Sequence, residues 1–147
     1  MSLVKNQKAY FDYEILEKFD AGLQLRGFEV KALKLGRGKL VAAHIIVRGD
    51  EAYLVGAAIE PYQAKNMPAD YEAGRTVKLL VTKKEIGRLA DIERQPGLTI
   101  IPLSVYNKNG KLKLELAIAR GKKKYDKRQA IKQRDTDREI RRTLKNN

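Results

Sequence analysis

An apolar run and a run of alternating side chains, joined by Asn107-Lys108-Asn109-Gly110, constrain this chain more than any other feature of its sequence. In the second run Leu112, Leu114, Leu116 and Ile118 alternate with Lys111, Lys113, Glu115 and Ala117, the period of a strand with one apolar face. The first run spans 98–106. The Asn-Gly pair between them supplies the positive φ that a tight hairpin turn demands.

Other segments repeat the pattern. Runs 41–47 and 52–59 are apolar and meet at Arg48-Gly49-Asp50-Glu51, a second hairpin signal. Tyr13, Ile15, Leu16 and Phe19 open an apolar stretch, Asp20-Ala21-Gly22 reads as a turn, and Leu23 and Leu25 alternate with Gln24 and Arg26. Two stretches have helical spacing: 30–35, with Val30, Leu33 and Leu35, and 77–89, with Leu79, Leu80, Ile86 and Leu89. Between them, 60–74 carries Pro61 and Pro68 and reads as a long surface loop. Five or six short strands and one longer helix in about 120 residues predict a mainly β fold. The expected architecture is a small closed antiparallel β-barrel of oligonucleotide-binding type with flanking helices and a basic C-terminal tail. Periodicity alone leaves other small barrels open.

The charge narrows the partners. Of 147 residues, 31 are Lys or Arg and 18 are Asp or Glu, a net +13 that favours encounters with polyanions. Residues 120–147 hold twelve basic and four acidic residues, a net +8, with Tyr125, Ile131, Ile140 and Leu144 their only large apolar side chains. So few apolar groups do not offset the entropy of ordering a chain against a core. The expected division is therefore a barrel over 1–119 and a tail over 120–147, disordered when free and able to become helical on a polyanion. Tyr125 stands among cations in Arg120-Gly121-Lys122-Lys123-Lys124-Tyr125-Asp126-Lys127-Arg128. Cations neutralise phosphates and an aromatic ring can stack on an unpaired base. The plain alternative is a solvated, solubilising tail.

Several functions find no support. No run approaches the roughly 20 apolar residues of a membrane span, and the first residues lack the apolar core of a signal peptide. There are no cysteines, hence no disulfide, thiolate nucleophile or cysteine zinc site. A cytoplasmic protein is the simplest expectation. His44 is the single histidine, inside an apolar run. Gly36-Arg37-Gly38-Lys39 lacks the spacing of a phosphate loop, and Leu40 stands where a magnesium-binding hydroxyl would follow. No catalytic set, metal site or cofactor is expected; the chain reads as a monomeric binding protein, not an enzyme.

One combination of blocks goes further. Asn6-Gln7-Lys8-Ala9, Asp12-Tyr13, Ala21-Gly22 and Gly27-Phe28-Glu29-Val30-Lys31-Ala32-Leu33 are followed by Ile59-Glu60-Pro61-Tyr62, Arg75-Thr76-Val77-Lys78-Leu79-Leu80 and Glu85-Ile86. Pro102-Leu103, Ala119-Arg120-Gly121-Lys122-Lys123 and Tyr125-Asp126-Lys127-Arg128 complete the series. In that order they resemble the SsrA-binding, or small protein B, family along nearly the whole chain.

The resemblance implies an oligonucleotide-binding barrel that holds the tRNA-like domain of transfer-messenger RNA. It also implies a role in trans-translation, the rescue of ribosomes stalled on messages without a usable stop codon. The tail is implied to enter the empty message channel, against small-subunit ribosomal RNA, and to become helical there. Asn6, Asp20 and Leu80 fall at family positions associated with transfer-messenger RNA, Asp20 being shorter than the Glu of many relatives. Lys113, Arg120, Lys122 and Lys123 join them as candidate RNA contacts. Lys124, Tyr125, Asp126, Lys127 and Arg128 are the candidates for the ribosome. Two positions depart from the family pattern: Phe11 replaces a common His, and Lys34 a common Arg. A ribosomal or general single-strand-binding protein on the same barrel is the alternative.

Overall fold

The computed structural model of the chain describes residues 2–60 and 73–122. In order they form β1 (Ser2–Lys5), α1 (Gln7–Asp12), β2 (Tyr13–Leu23), α2 (Gly27–Lys34), β3 (Gly38–Lys39), β4 (His44–Arg48), β5 (Glu51–Val55), β6 (Ala58–Ile59), β7 (Val77–Leu80), α3 (Lys83–Glu93), β8 (Leu98–Lys108) and β9 (Lys111–Gly121). Seven strands make one antiparallel sheet in the order β1-β8-β9-β2-β7-β5-β4, and β3 pairs with β6 separately. The mainly β, antiparallel expectation therefore holds. By backbone hydrogen bonding, β1 and β4 are the ends of the sheet order.

The 98–121 hairpin is the spine. Its turn places Asn109 at φ 53° and Gly110 at φ 83°, the left-handed geometry that Asn-Gly accommodates. Leu112, Leu114 and Leu116 of β9 face the main core with Val77 and Leu79 of β7, Ile45 of β4, Leu33 of α2 and Leu89 of α3. A second, smaller cluster lies on the opposite face of β8 and β9. Ala117, Ala119, Ile101 and Leu103 pack there under Ala9 of α1. Half of that outer face is thus covered by α1, and the half nearer the hairpin turn is left to solvent-facing residues.

Three expectations change. The helix read over 77–89 is two elements. Thr82 caps α3, its Oγ1 accepting the Glu85 N–H at 3.2 Å while Glu85 Oε1 accepts the Thr82 N–H at 3.1 Å. That cap starts the helix at Lys83, and Val77–Leu80 pairs as a strand instead, with Val77 and Leu79 buried and Leu80 outside. Asp20-Ala21-Gly22 is not a turn; β2 continues through it, pairing Asp20, Ala21 and Gly22 with Glu115, Leu114 and Lys113. The apolar run 52–59 breaks at Gly56, whose φ is 83° and where a Cβ would meet Ala42 O at 2.9 Å. Finally, β1 and α1 had no expectation at all. The expected loop over 60–74 lies mainly outside the described residues, as does the tail beyond Lys122.

Candidate nucleic-acid interface

Strand register assembles the site. Leu80, Gly22, Lys113, Tyr106 and Ser2 stand side by side across β7, β2, β9, β8 and β1. Beside that row runs another: Asp20, Glu115, Ser104 and Lys5, across β2, β9, β8 and β1. Their inward neighbours Ala21, Leu114 and Val105 belong to the core, so both rows face outward. Three residues singled out from the sequence, Asp20, Leu80 and Lys113, come together here, lining an open groove of about 540 Å³ beside the start of α3.

Gly22 makes the groove possible. A Cβ at that position would lie 3.0 Å from Leu80 Cβ and 3.3 Å from Leu80 Cδ1, so a side chain there would displace the leucine. Leu80 is 54% exposed, a large apolar side chain offered to solvent. The electrostatics are mixed. Asp20, Asp50, Glu51 and Glu85 line the groove with Lys78, Lys83 and Lys113. Three of those acids are engaged internally: Glu51 with Lys78 Nζ at 2.8 Å and with the Tyr53 hydroxyl, Glu85 with Thr82, and Asp20 with the Tyr106 hydroxyl. Hydrogen bonds from Lys78 and then Tyr53 hold the Glu51 carboxyl below its usual range, and the same contact raises Lys78. Burial, then its hydrogen bond to Asp20, pushes the Tyr106 phenol up to about 12, so Tyr106 stays a neutral donor to that carboxylate at physiological pH. Lys113 makes no ion pair among the described residues. The groove therefore presents an acceptor, an apolar surface and a free ammonium. Those are groups for ribose or base edges, a base or sugar face, and a phosphate.

The other candidates lie elsewhere. Asn6 is buried between β1 and α1, 3% exposed. Its Nδ2 donates to Pro102 O at 2.9 Å and Leu40 O at 3.3 Å, and its backbone N–H donates to Leu103 O at 2.8 Å. Asn6 Oδ1 has no partner among the described residues. These bonds fasten the start of α1 to β8 and to the turn at Leu40, so the placement of α1 depends on Asn6. Arg120 and Lys122 lie at the far end of β9, seven or more residues from Lys113 and about 23 Å away at strand rise. Arg120 Nη1 stands 3.9 Å from Glu14 Oε2, while Lys122 Nζ donates to Tyr10 O at 3.0 Å. Lys123, Lys124, Tyr125, Asp126, Lys127 and Arg128 lie outside the described residues. Sequence reasoning missed Gly22 and Tyr106 at the groove. Their signal was present only in the pairing of β2, β8 and β9, which no single segment reveals.

No helix among the described residues is long and apolar enough to cross a membrane. Comparison with known proteins agrees along the chain. The family model "SmpB protein" matches residues 3–146. An SsrA-binding protein of Azoarcus sp. (strain BH72) is 43% identical over 145 residues, covering 99% of this chain and 98% of the relative. One from Synechococcus sp. (strain JA-2-3B'a(2-13)) is 44% identical over 144 residues, covering 98% and 94%. A solved chain described as "tmRNA-SmpB: a journey to the center of the bacterial ribosome" superposes with a TM-score of 0.68 at 38% identity, covering 86% of this chain and 92% of that one. With a family model that spans almost its whole length, relatives above 40% identity and a shared fold, this chain belongs to the SmpB protein family.

Proposed function

We propose that this chain binds the tRNA-like domain of transfer-messenger RNA and delivers it to stalled ribosomes for trans-translation. The observation that carries the RNA site is the register that sets Asp20 and Lys113 beside an exposed Leu80 on one outer face. Asp20 accepts hydrogen bonds from a ribose hydroxyl or a base amino group, Leu80 packs on a sugar or base face, and Lys113 neutralises a phosphate. Four acids among three lysines make the groove a poor general phosphate binder, which favours a shaped RNA over arbitrary single strands.

The proposed scaffold is a closed barrel of oligonucleotide-binding type. Two contacts support closure: β4 lies against β8, and Glu93 of α3 takes the Val47 N–H of β4 at 2.7 Å while pairing with Arg48. Glu93 thereby satisfies an edge donor that no neighbouring strand reaches. The family name and the ribosome-bound relative support the remaining assignment. In it the barrel holds the RNA and the tail, with Lys124, Tyr125, Asp126, Lys127 and Arg128, contacts small-subunit ribosomal RNA, becoming helical as it binds. The protein acts as a cytoplasmic binding protein.

Filter binding at fixed salt tests the RNA reading. The isolated tRNA-like domain should bind at least roughly ten-fold tighter than ordinary tRNA or a single strand, and Asp20→Ala should remove most of that preference. Equal affinity for all three RNAs in the unaltered protein would overturn it.

A further inference from the structure

Tyr10 projects from α1 beside the proposed RNA groove. It is 48% exposed, a large ring offered to solvent on a helix of which only Ala9 is buried. Lys18 Nζ lies 5.7 Å from the ring centroid, and Lys18 stands on β2 two residues before Asp20, on the same outward face. Lys18 Nζ also reaches Glu115 at 4.0 Å, the residue paired with Asp20. Tyr10 and Glu115 line a further open groove of about 410 Å³ with Lys5 and Ser104. Those last two continue the Asp20 row across β8 and β1, so Lys5 stands about 14 Å from Asp20 at three strand spacings. The ring therefore borders a surface continuous with the site already described. Lys18 stands over the ring, Lys5 lines the same groove and Lys122 Nζ holds the Tyr10 carbonyl, charges of the sign a phosphate backbone requires.

We propose that Tyr10 is a base-stacking platform for an unpaired nucleotide of the RNA that occupies the Asp20–Leu80–Lys113 groove, with Lys5 and Lys18 neutralising the flanking phosphates. The inference rests on the RNA-binding reading and extends its contact surface across the sheet to α1. An aromatic ring held at a helix surface loses little freedom when a base stacks on it, and any base offers a face, so the contact is tolerant of sequence. Asn6 then gains a role at a distance. By fastening α1 to β8 and to the Leu40 turn, it fixes where the ring stands.

The chain contains no tryptophan, so full-length Tyr10→Trp carries a single indole reporter at the platform. Titration with the tRNA-like domain should quench its emission while affinity stays within about two-fold of the unaltered protein. Titration with small ribosomal subunits separates the two sources of a base: quenching by either RNA supports stacking and identifies which one supplies it. Tyr10→Ala should bind about ten-fold more weakly, with an unchanged slope of log affinity against log salt, because the ring neutralises no phosphate. Lys18→Gln should instead lower that slope by roughly 0.7 to 0.9. Unmoved indole emission with both RNAs, together with unaltered affinity in Tyr10→Ala, would overturn the proposal while leaving the groove intact. Absence of RNA binding by the unaltered protein would overturn the RNA reading itself.

Discussion

Gly22 leaves no room for a methyl group without moving Leu80, because the nearest atom, Leu80 Cβ, is tied to the backbone of the paired strand. Gly22→Ala should therefore force β2 and β7 apart locally and cost about 1–3 kcal/mol, the range for overpacking, read as a lower urea midpoint at unchanged slope. It should also weaken binding of the tRNA-like domain, and by less when Leu80 is already Ala, since both changes disturb one contact. Additive losses would mean that Gly22 acts independently of Leu80. The leucine itself shows where residue-level reading stops. Leu79 and Leu80 are chemically identical neighbours, and only the pleat sends one inward at 2% exposure and the other outward at 54%. Asn6 is the converse: a polar residue, yet buried, with the carbonyls of Pro102, Leu103 and Leu40 accepting its N–H groups. Family resemblance pointed to the residue without indicating that it is buried.

The hairpin of β8 and β9 was legible because the period of β9, the apolar run of β8 and an Asn-Gly turn agreed. The turn sets the register as far as Ser104, and the bulge between Pro102 and Ser104 that shifts it had no signal in the sequence. β1 and α1 were not, being four and six residues long and held by long-range contacts. Their placement depends on β8, about a hundred residues away. α2 depends on such a contact as well. Glu29 is fully buried, and its carboxylate accepts from Arg75 Nη2 at 2.6 Å, Arg75 Nε at 2.9 Å and the Arg26 N–H at 2.7 Å. The paired donation uses the planar fork of arginine and ties the helix to the approach to β7. Arg75→Met leaves a buried carboxylate short of its cation and should cost about 3–5 kcal/mol in chemical denaturation. Arg75→Lys should recover part of that loss, and Glu29→Gln combined with Arg75→Met should be milder than the sum of the single changes. A loss below about 1 kcal/mol for Arg75→Met would show the pair to be dispensable.

At the scale of the molecule, the charge imbalance separates two tasks. Residues 120–147 carry +8 of the total +13, leaving +5 for the rest, and the groove on the sheet is itself nearly balanced in sign. In the proposed mode, recognition at the sheet relies on shape and a few directed groups, while the basic tail contributes long-range attraction and the ribosomal contacts. The charge and apolar census of the sequence divides the two parts after Ala119. Pairing continues past it: Arg120 and Gly121 join Glu14 and Tyr13, and the Lys122 N–H donates to Asp12 O at 2.9 Å. Position of a truncation therefore matters. A chain ending at Lys122 keeps every backbone bond of β9 and should bind the tRNA-like domain within roughly ten-fold of the full protein, with a shallower salt slope from the lost cations. It should nonetheless fail to support tagging of a stalled peptide in a reconstituted translation reaction. A chain ending at Ala119 should fail in the same assay and also melt earlier, since it loses the β2 pairing that holds α1 in place. Full tagging by the Lys122 truncation would remove the tail from the mechanism, whereas full stability of the Ala119 truncation would show that the pairing beyond Ala119 is dispensable.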